Sequence, residues 1–211
     1  MTDTTVPTEA GPARTRLSVR FSARDLVSVA IFAVLMIVVT YAIGMLGILS
    51  PLVWLAVVPV SVLVNGIVFL LFVTRVKHAG MVTLLGVAVA LFYLLTGNTV
   101  FSTIGIIVLA VLAEVVLWAG RYRSRWAAIW AYTIFALSFF TPFLPLVFDR
   151  ENYLRSPSFT TMGQEYVAGA DALTTLPVLG VLALAIAVAG FLGGLFGSAV
   201  LRKHFVRAGL A

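Results

Sequence analysis

The sequence predicts an all-α membrane protein with six transmembrane helices and with both termini in the cytoplasm. Hydrophobic residues make up 62% of the 211 residues, and charged residues make up only 10%. Because a soluble domain carries about 25% charged residues, lipid has to cover part of this apolar surface. The chain also contains no cysteine, which excludes disulfides and thiolate metal sites.

Three segments are expected along the chain. Residues 1–25 are rich in Thr, Pro, Ala and Arg and have no apolar run, which predicts a mobile cytoplasmic tail. The apolar stretch from Leu26 is too long for the hydrophobic region of a cleavable signal peptide, so it is interpreted as the first membrane helix. Residues 26–203 then form the transmembrane domain, and residues 204–211 form a cytoplasmic C-terminal tail.

Six apolar stretches account for the membrane helices. A spanning helix needs about 20 mainly apolar residues. The predicted spans are 26–46, 52–73, 81–96, 101–119, 127–148 and 174–201. The third stretch is short, and the last is long enough to tilt or to project from the bilayer.

The basic residues fix the orientation of these spans. With six spans, four basic clusters fall on one side: Arg14, Arg16, Arg20 and Arg24; Arg75 and Lys77; Arg121, Arg123 and Arg125; and Arg202, Lys203 and Arg207. Arg150 and Arg155 fall on the other side, in the long connection 149–173. Five or seven spans would scatter the clusters. We therefore expect a multi-pass protein of the bacterial cytoplasmic membrane, with residues 149–173 outside.

Candidate ligand-binding residues gather at the predicted outer end. Pro142 and Pro145 are expected to kink an aromatic helix beside the long outer loop, which would form the wall of a pocket. The alternative is that these aromatic side chains face lipid at the interface. Polar groups after the third span suit either the top of an apolar pocket or an ordinary helix cap. The candidates are Trp54, Tyr93, Asn98, Phe139, Phe143, Tyr153, Glu165 and Tyr166.

Glu114 is the one clear ionisable residue inside a predicted span. An intramembrane charge is a functional candidate by default and costs about 2.5–3.5 kcal/mol at the helix centre. Glu114 lies about two turns before the arginines of the next loop, so two interpretations stay open. It pairs with Arg75, Lys77 or His78, or it takes part in coupling transport to a partner.

Small residues mark two candidate contact surfaces. Gly190, Gly193, Gly194 and Gly197 form two overlapping small-xxx-small pairs in the last span, a spacing that lets helix backbones approach closely. Internal packing is the simpler interpretation for them. Ser28, Ala30 and Ala33 form a second patch near the inner end of the first span, and this patch suits internal packing or a partner subunit equally well.

Several kinds of chemistry are not expected. Neither His78 nor His204 has a second ligand three or four residues away, so no metal site is predicted. The chain has no phosphate-binding loop and no serine–histidine pair or paired carboxylates at depth. We therefore expect neither an enzyme nor an intrinsic cofactor.

The chain resembles the substrate-binding (S) components of energy-coupling factor transporters, specifically the Trep_Strep or MptD-like group. The resemblance runs from about Phe21 to the end. Its carriers are RDLVSVAIFAVL at 24–35, IGMLG at 43–47, VTRVKHAGMVTLLG at 73–86, LTGN at 95–98, LAEVVLWAGRYRS at 112–124, GQEY at 163–166 and GGLFGSAVLRKHFVRAG at 193–209.

The resemblance implies a six-helix subunit that captures a micronutrient outside the cell and topples in the membrane to deliver it. Its partners would be a transmembrane coupling subunit and two ABC ATPases, with no nucleic acid involved. The ligand would be a vitamin, a precursor or a tetrapyrrole such as haem. Since no histidine lies on the outer side, a haem iron would need Tyr153, Tyr166, Met45 or Met162. The alternatives are a stand-alone carrier, which usually shows internal repeats, and a structural or assembly protein.

Overall fold

The computed structural model describes residues 22–75 and 78–207, with side chains as far as Leu201. All regular structure in these residues is helical. The α-helices are α1 Ala23–Gly44, α2 Pro51–Arg75, α3 Met81–Leu95, α4 Val100–Ala119, α5 Arg125–Ala136, α6 Pro145–Phe148, α7 Arg150–Leu154, α8 Pro157–Thr160, α9 Gln164–Leu173 and α10 Leu176–Arg207, and the 3-10 helices are Met45–Leu49 and Leu137–Phe143.

The predicted helical membrane bundle is confirmed. Five segments in the described residues are long and apolar enough to cross a membrane, and α3 is a sixth, shorter apolar helix. In the bundle α2 packs between α1 and α10, α10 also packs on α5, and α4 lies between α3 and α5. The predicted tails at residues 1–21 and 208–211 lie outside the described residues.

The first helix begins earlier than the sequence predicts. Ser22 and Asp25 form a capping box, in which the Ser22 hydroxyl accepts from the Asp25 amide at 3.2 Å and the Asp25 carboxylate accepts from the Ser22 amide at 2.9 Å. This reciprocal pair satisfies two free amides. Residues 23–25 therefore belong to α1 and not to the tail, and at the other end of the domain α10 continues to Arg207, past the predicted limit of 203.

The predicted span 127–148, expected to kink at its prolines, is not one regular α-helix, because α5 ends at Ala136 and a 3-10 helix follows over Leu137–Phe143. Pro142 and Pro145 cannot donate to the carbonyls four residues earlier. The freed Ser138 carbonyl accepts instead from the Thr141 hydroxyl at 2.8 Å. The freed Thr141 carbonyl accepts from the Ser102 hydroxyl of α4, also at 2.8 Å. The two hydroxyls, together with the Leu144 amide that also donates to the Thr141 carbonyl at 3.1 Å, thus replace the two lost hydrogen bonds, as membrane burial requires.

The long connection 149–173 folds into the three short helices α7, α8 and α9, which we call the cap. Arg150 joins its two ends, since Nε lies 2.6 Å from Asp171 Oδ1 and Nη1 donates to the Thr174 carbonyl at 2.6 Å. Tyr166 donates its hydroxyl to the Gly47 carbonyl at 2.8 Å and so ties α9 to the 3-10 helix that follows α1. Phe159 is buried. The cap is therefore packed on the bundle.

The four glycines of α10 pack inside the chain. Gly193 and Gly197 face α2, and a Cβ on Gly193 would lie 2.9 Å from the Leu63 carbonyl oxygen. Gly190 and Gly194 face α5. The opposing backbone is equally close, because a Cβ on Gly66 would lie 2.4 Å from the Gly193 carbonyl carbon. This approach of α2 and α10 requires glycine on both sides.

The start of α3 explains the buried Glu114. Gly80, at the left-handed φ of 91°, supplies no side-chain cap to α3. One carboxylate oxygen of Glu114, on α4, accepts instead from the amides of Val82 at 2.7 Å and Thr83 at 3.0 Å. Tyr122 donates its hydroxyl to the other oxygen. Glu114 thus caps a helix to which it does not belong, and the helix dipole favours its charge.

The expected ion pair of Glu114 is therefore corrected. Among the described residues Glu114 pairs with neither Arg75 nor His78, and Lys77 lies outside them. Its partner Tyr122 follows Arg121 in a turn where both residues have positive φ, 52° and 55°, which side chains rarely adopt. Burial, followed by the hydrogen bond to the Glu114 carboxylate, raises the pKa of Tyr122.

Candidate functional site

A cavity of about 300 Å³ opens inside the bundle, at the end where α1 and α3 finish and α2 begins. We call it the deep cavity. This volume falls at the lower end of the range for ligand pockets, about 300–1,000 Å³. Its lining is Thr40, Tyr41, Gly44, Met45, Ile48, Trp54, Val57, Val58, Ser61, Tyr93, Asn98, Phe139, Pro142, Phe143 and Tyr153.

A second cavity of about 410 Å³ lies beneath the cap and is called the cap cavity. Its lining is Tyr41, Trp54, Thr96, Gly97, Asn98, Thr99, Pro145, Asp149, Asn152, Tyr153, Ser156, Ser158, Phe159, Met162 and Tyr166. Tyr41, Trp54, Asn98 and Tyr153 line both cavities. The two spaces therefore adjoin, and three aromatic side chains and one amide stand at the boundary between them.

Ring contacts hold the boundary aromatics in place. Trp54 stacks on Phe143 with centroids 4.8 Å apart and planes inclined by 30°. Phe159 of the cap meets Trp54 edge-on at 5.4 Å and Tyr153 at 5.2 Å. Offset and edge-to-face pairs of this kind are the favoured aromatic geometries. Trp54 thus links the kinked α5 segment to the cap.

The floor of the deep cavity carries a small polar group. Asn65 is fully buried, and its side-chain amide donates to the Thr40 hydroxyl at 3.0 Å and to the Ser61 carbonyl at 2.9 Å. The Thr40 hydroxyl in turn donates to the Met36 carbonyl at 2.7 Å. This network fixes the Thr40 side chain, so the floor offers a defined polar surface rather than a mobile one.

The walls carry little charge. Among the described residues, no Lys, Arg or His lines either cavity, and Asp149 is the one carboxylate, at the cap cavity. Burial raises the pKa of Tyr153 to about 12. Burial also raises the pKa of Tyr166. Both phenols are therefore neutral hydrogen-bonding groups at physiological pH.

Seven of the eight predicted ligand-binding residues line these cavities. Six of them line the deep cavity: Trp54, Tyr93, Asn98, Phe139, Phe143 and Tyr153. Tyr166 lines the cap cavity. Glu165 is exposed in the first turn of α9 and lines neither of these two cavities. Neighbouring residues of a helix point about 100° apart, so Tyr166 and Glu165 do not face the same side.

Sequence reasoning missed other members of the site. Tyr41 lines both cavities, Thr40 lines the deep one, and Asp149 lines the cap cavity. A polar pair such as Thr40-Tyr41 at the outer end of an otherwise apolar span was the available signal for two of them. Asp149 directly follows the predicted fifth span, at the start of the outer connection, which was the signal for the third.

The predicted partner patch on α1 is only partly available. Ala33 is buried at 4% exposure and belongs to the core, so it is removed from the patch. Ala30 is exposed. Ser28 is half-buried and donates its hydroxyl to the Arg24 carbonyl of its own helix. A partner in the membrane therefore has access to Ala30 and part of Ser28.

A family model described as a hypothetical bacterial integral membrane protein (Trep_Strep) matches residues 23–207. The chain belongs to this family. No curated protein and no solved structure matches it. The Trep_Strep match starts with α1 and ends with α10, so the whole bundle, including the cap, is family structure. The protein is therefore a multi-pass integral membrane protein.

Proposed function

We propose that this chain is the substrate-capture subunit of an ATP-driven importer of the energy-coupling factor type. It binds a micronutrient from outside, either a vitamin, a precursor or a tetrapyrrole such as haem. It then delivers this ligand by toppling against a coupling subunit. The supporting observation is the deep cavity, which is lined by aromatic and hydroxyl groups and adjoins the cap at the end that the charge distribution assigns to the outside.

The buried acid favours capture over stand-alone transport. A secondary carrier usually has an ion site near the middle of the membrane, and apart from Asp25 in the first turn of α1, Glu114 is the acid of the described spans. Both of its oxygens are occupied, one by the α3 amides and the other by Tyr122. Glu114 is thus a structural cap. Energy for uptake would come from the two ABC ATPases of the complex, and this chain would act as neither ATPase nor enzyme.

The cavity also favours capture over a purely structural or assembly role. Such a role needs no internal space, and packed protein interiors leave few voids larger than a water molecule. Here the deep cavity and the cap cavity, of about 300 and 410 Å³, adjoin and share the aromatic side chains of Tyr41, Trp54 and Tyr153. A space of this size and composition suits a small, mainly apolar ligand.

The coupling test is co-purification. The chain is co-expressed with the coupling subunit and the two ATPases, extracted in mild detergent, and recovered by a tag on this chain. We expect an ATPase-bearing complex from the wild type. Ala30→Trp, on the accessible part of the α1 patch, is expected to lower its recovery about tenfold, the effect of losing one interface hot spot.

Val38→Trp is the matched control, because Val38 is 56% exposed on the same helix but two turns nearer the outer end. It should leave recovery unchanged. Failure of the wild-type chain to recover any ATPase subunit would remove the importer proposal. Mass spectrometry and an absorbance spectrum of small molecules retained by the purified chain test the capture half independently, since a haem-like band would identify a tetrapyrrole.

A further inference from the structure

The charges around the two cavities narrow the class of ligand. We propose that the site takes a planar aromatic molecule with one positive charge and no anionic group, its ring in the deep cavity and its charged group toward Asp149. This inference rests on the proposed function, since it names the ligand of the same capture site. It follows from the shape of the aromatic walls, from the signs of the nearby charges and from the distribution of polar groups.

The boundary between the cavities is suited to a flat cation. Tyr41, Trp54 and Tyr153 present aromatic surface to both spaces. An aromatic face attracts a cation within about 6 Å, most strongly when the ring is Trp and the site is desolvated. The same faces stack on a planar ring. A ligand that spans the boundary therefore gains from both contacts at once.

At this end of the bundle, the charged side chains that have no ion-pair partner among the described residues are acidic. Arg150 pairs with Asp171, and Arg155 pairs with Glu151 at 2.6 Å. Among the described residues, neither Asp149 nor Glu165 has an ion-pair partner. The Asp149 carboxylate accepts from the Asn152 amide at 2.8 Å and lines the cap cavity. Summed fields of this sign raise the local concentration of cations and repel anions.

An anionic ligand finds no counter-ion in the site. No described Lys, Arg or His lines either cavity, and a buried carboxylate or phosphate without a cationic partner is strongly disfavoured. A tetrapyrrole with two propionates, one of the options under the proposed function, would bring two such groups. The neutral hydroxyls and amides of Thr40, Ser61 and Asn98 suit ring heteroatoms instead.

The test uses three probes with the same two-ring size and different charge. They are the cation N-methylquinolinium, the neutral methylnaphthalene and the anion naphthoate. Each probe is equilibrated by dialysis against the full chain in lipid nanodiscs, and binding to empty nanodiscs is subtracted. We expect saturable binding of the cation about three-fold tighter than that of the neutral probe, and weaker binding still of the anion.

Two substitutions, Asp149→Asn and Trp54→Phe, and one control, Glu165→Gln, test which residues cause the preference for the cation. Asp149→Asn should raise the Kd of the cation about three-fold and leave that of the neutral probe unchanged. Glu165→Gln is the matched control, because Glu165 is an exposed acid at the same end that lines neither the deep cavity nor the cap cavity, and it should change neither value. Trp54→Phe keeps an aromatic ring in the stack and should weaken the cation more than the neutral probe.

The inference is overturned if naphthoate binds as tightly as the cation, if no probe binds saturably, or if Asp149→Asn leaves the ratio of cation to neutral affinity unchanged. A variant with a lowered melting temperature is judged by that ratio and not by total binding. These outcomes are separate from the coupling test. Probe binding without an ATPase complex removes the importer role alone, whereas a complex without cation selectivity removes the ligand class alone.

Discussion

Removing the Glu114 carboxylate is the sharpest test of how this bundle is held together at the end where α3 begins. In Glu114→Ala the amides of Val82 and Thr83 lose their acceptor, and α3 has no side-chain cap of its own to replace it. Leaving a buried donor unsatisfied costs about 1–3 kcal/mol. Loss of a carboxylate from a helix N-terminus costs about 0.5–1 kcal/mol more.

We therefore expect Glu114→Ala to lower the free energy of unfolding by about 3 kcal/mol, a value below the full sum because water or backbone shifts satisfy part of the loss. Glu114→Gln keeps an acceptor oxygen and loses the charge, so about 1 kcal/mol is expected. Tyr122→Phe removes the third hydrogen bond and should cost about 1.5 kcal/mol. The assay is equilibrium unfolding in mixed micelles of a mild detergent and dodecyl sulfate.

The decisive quantity is the coupling between Glu114 and Tyr122. If the hydroxyl acts through the carboxylate, Tyr122→Phe should be nearly neutral in the Glu114→Ala background. The exposed Glu165→Ala is the control and should lie within about 0.5 kcal/mol of the wild type. A Glu114→Ala variant as stable as that control, or a Tyr122→Phe effect unchanged by loss of Glu114, would refute the capping role.

Three further predictions follow from contacts in the bundle and the cap. Gly66→Ala should destabilise the protein by about 2 kcal/mol by overpacking α2 against α10, whereas Gly180→Ala, whose Cβ would meet nothing within 4 Å, should not, as measured by the same unfolding assay. Arg150→Gln should speed amide hydrogen exchange in α7 and α9, because it removes the contacts with Asp171 and Thr174. Arg155→Gln is the control and should leave this exchange unchanged, because the pair of Arg155 with Glu151 is exposed. Equal exchange rates in the two variants would contradict the role of Arg150. Tyr153 should ionise near pH 12 rather than 10.0, as measured by an absorbance titration of phenolate that compares the wild type with Tyr153→Phe. Because the pKa of Tyr153 is raised in the folded state, its contribution to stability is complete below pH 10.0 and is lost as the pH rises toward 12. This loss of stability should be absent from the variant.

The bundle was predictable because membrane helices are encoded locally. Each span is a run of apolar residues, and the basic clusters constrain how many spans there are, so neither inference needs knowledge of a tertiary contact. The spacing of the α10 glycines was equally local. Which helix each glycine meets was not, because Gly193 facing α2 and Gly194 facing α5 depends on how three helices are arranged.

The errors arose where a distant residue decides a local structure. The 3-10 helix that follows α5 is bonded to Ser102, whose hydroxyl donates to the carbonyl of Thr141, 39 residues away. The sequence suggested that Glu114 pairs with a nearby cation, but a carboxylate oxygen of Glu114 accepts hydrogen bonds from amides 31 and 32 residues away. Ala33 looked like part of a surface patch because small residues are compatible with both a partner and a core. Spacing alone does not separate these outcomes.

The cap was unpredictable for a related reason. Its segments are too short to show helical periodicity, and what holds them is a set of single contacts, such as Tyr166 to Gly47 and Arg150 to Asp171. The aromatic candidates could nevertheless be identified by type and by end of the bundle. The sequence could not show the charge balance at the cap cavity. Arg150 and Arg155 each pair with another acid, so Asp149 has no ion-pair partner among the described residues.

The close contact between Gly66 and Gly193 also bears on the order of assembly. The two residues lie on α2 and α10, so the surface of α2 that receives α10 stays without its partner until the more than one hundred intervening residues and α10 itself have been synthesised. During insertion, that glycine surface is open to other helices or to lipid. Completion of this part of the core therefore depends on the arrival of α10, and a nascent chain that stops before α10 should be recognised as incomplete by membrane quality control.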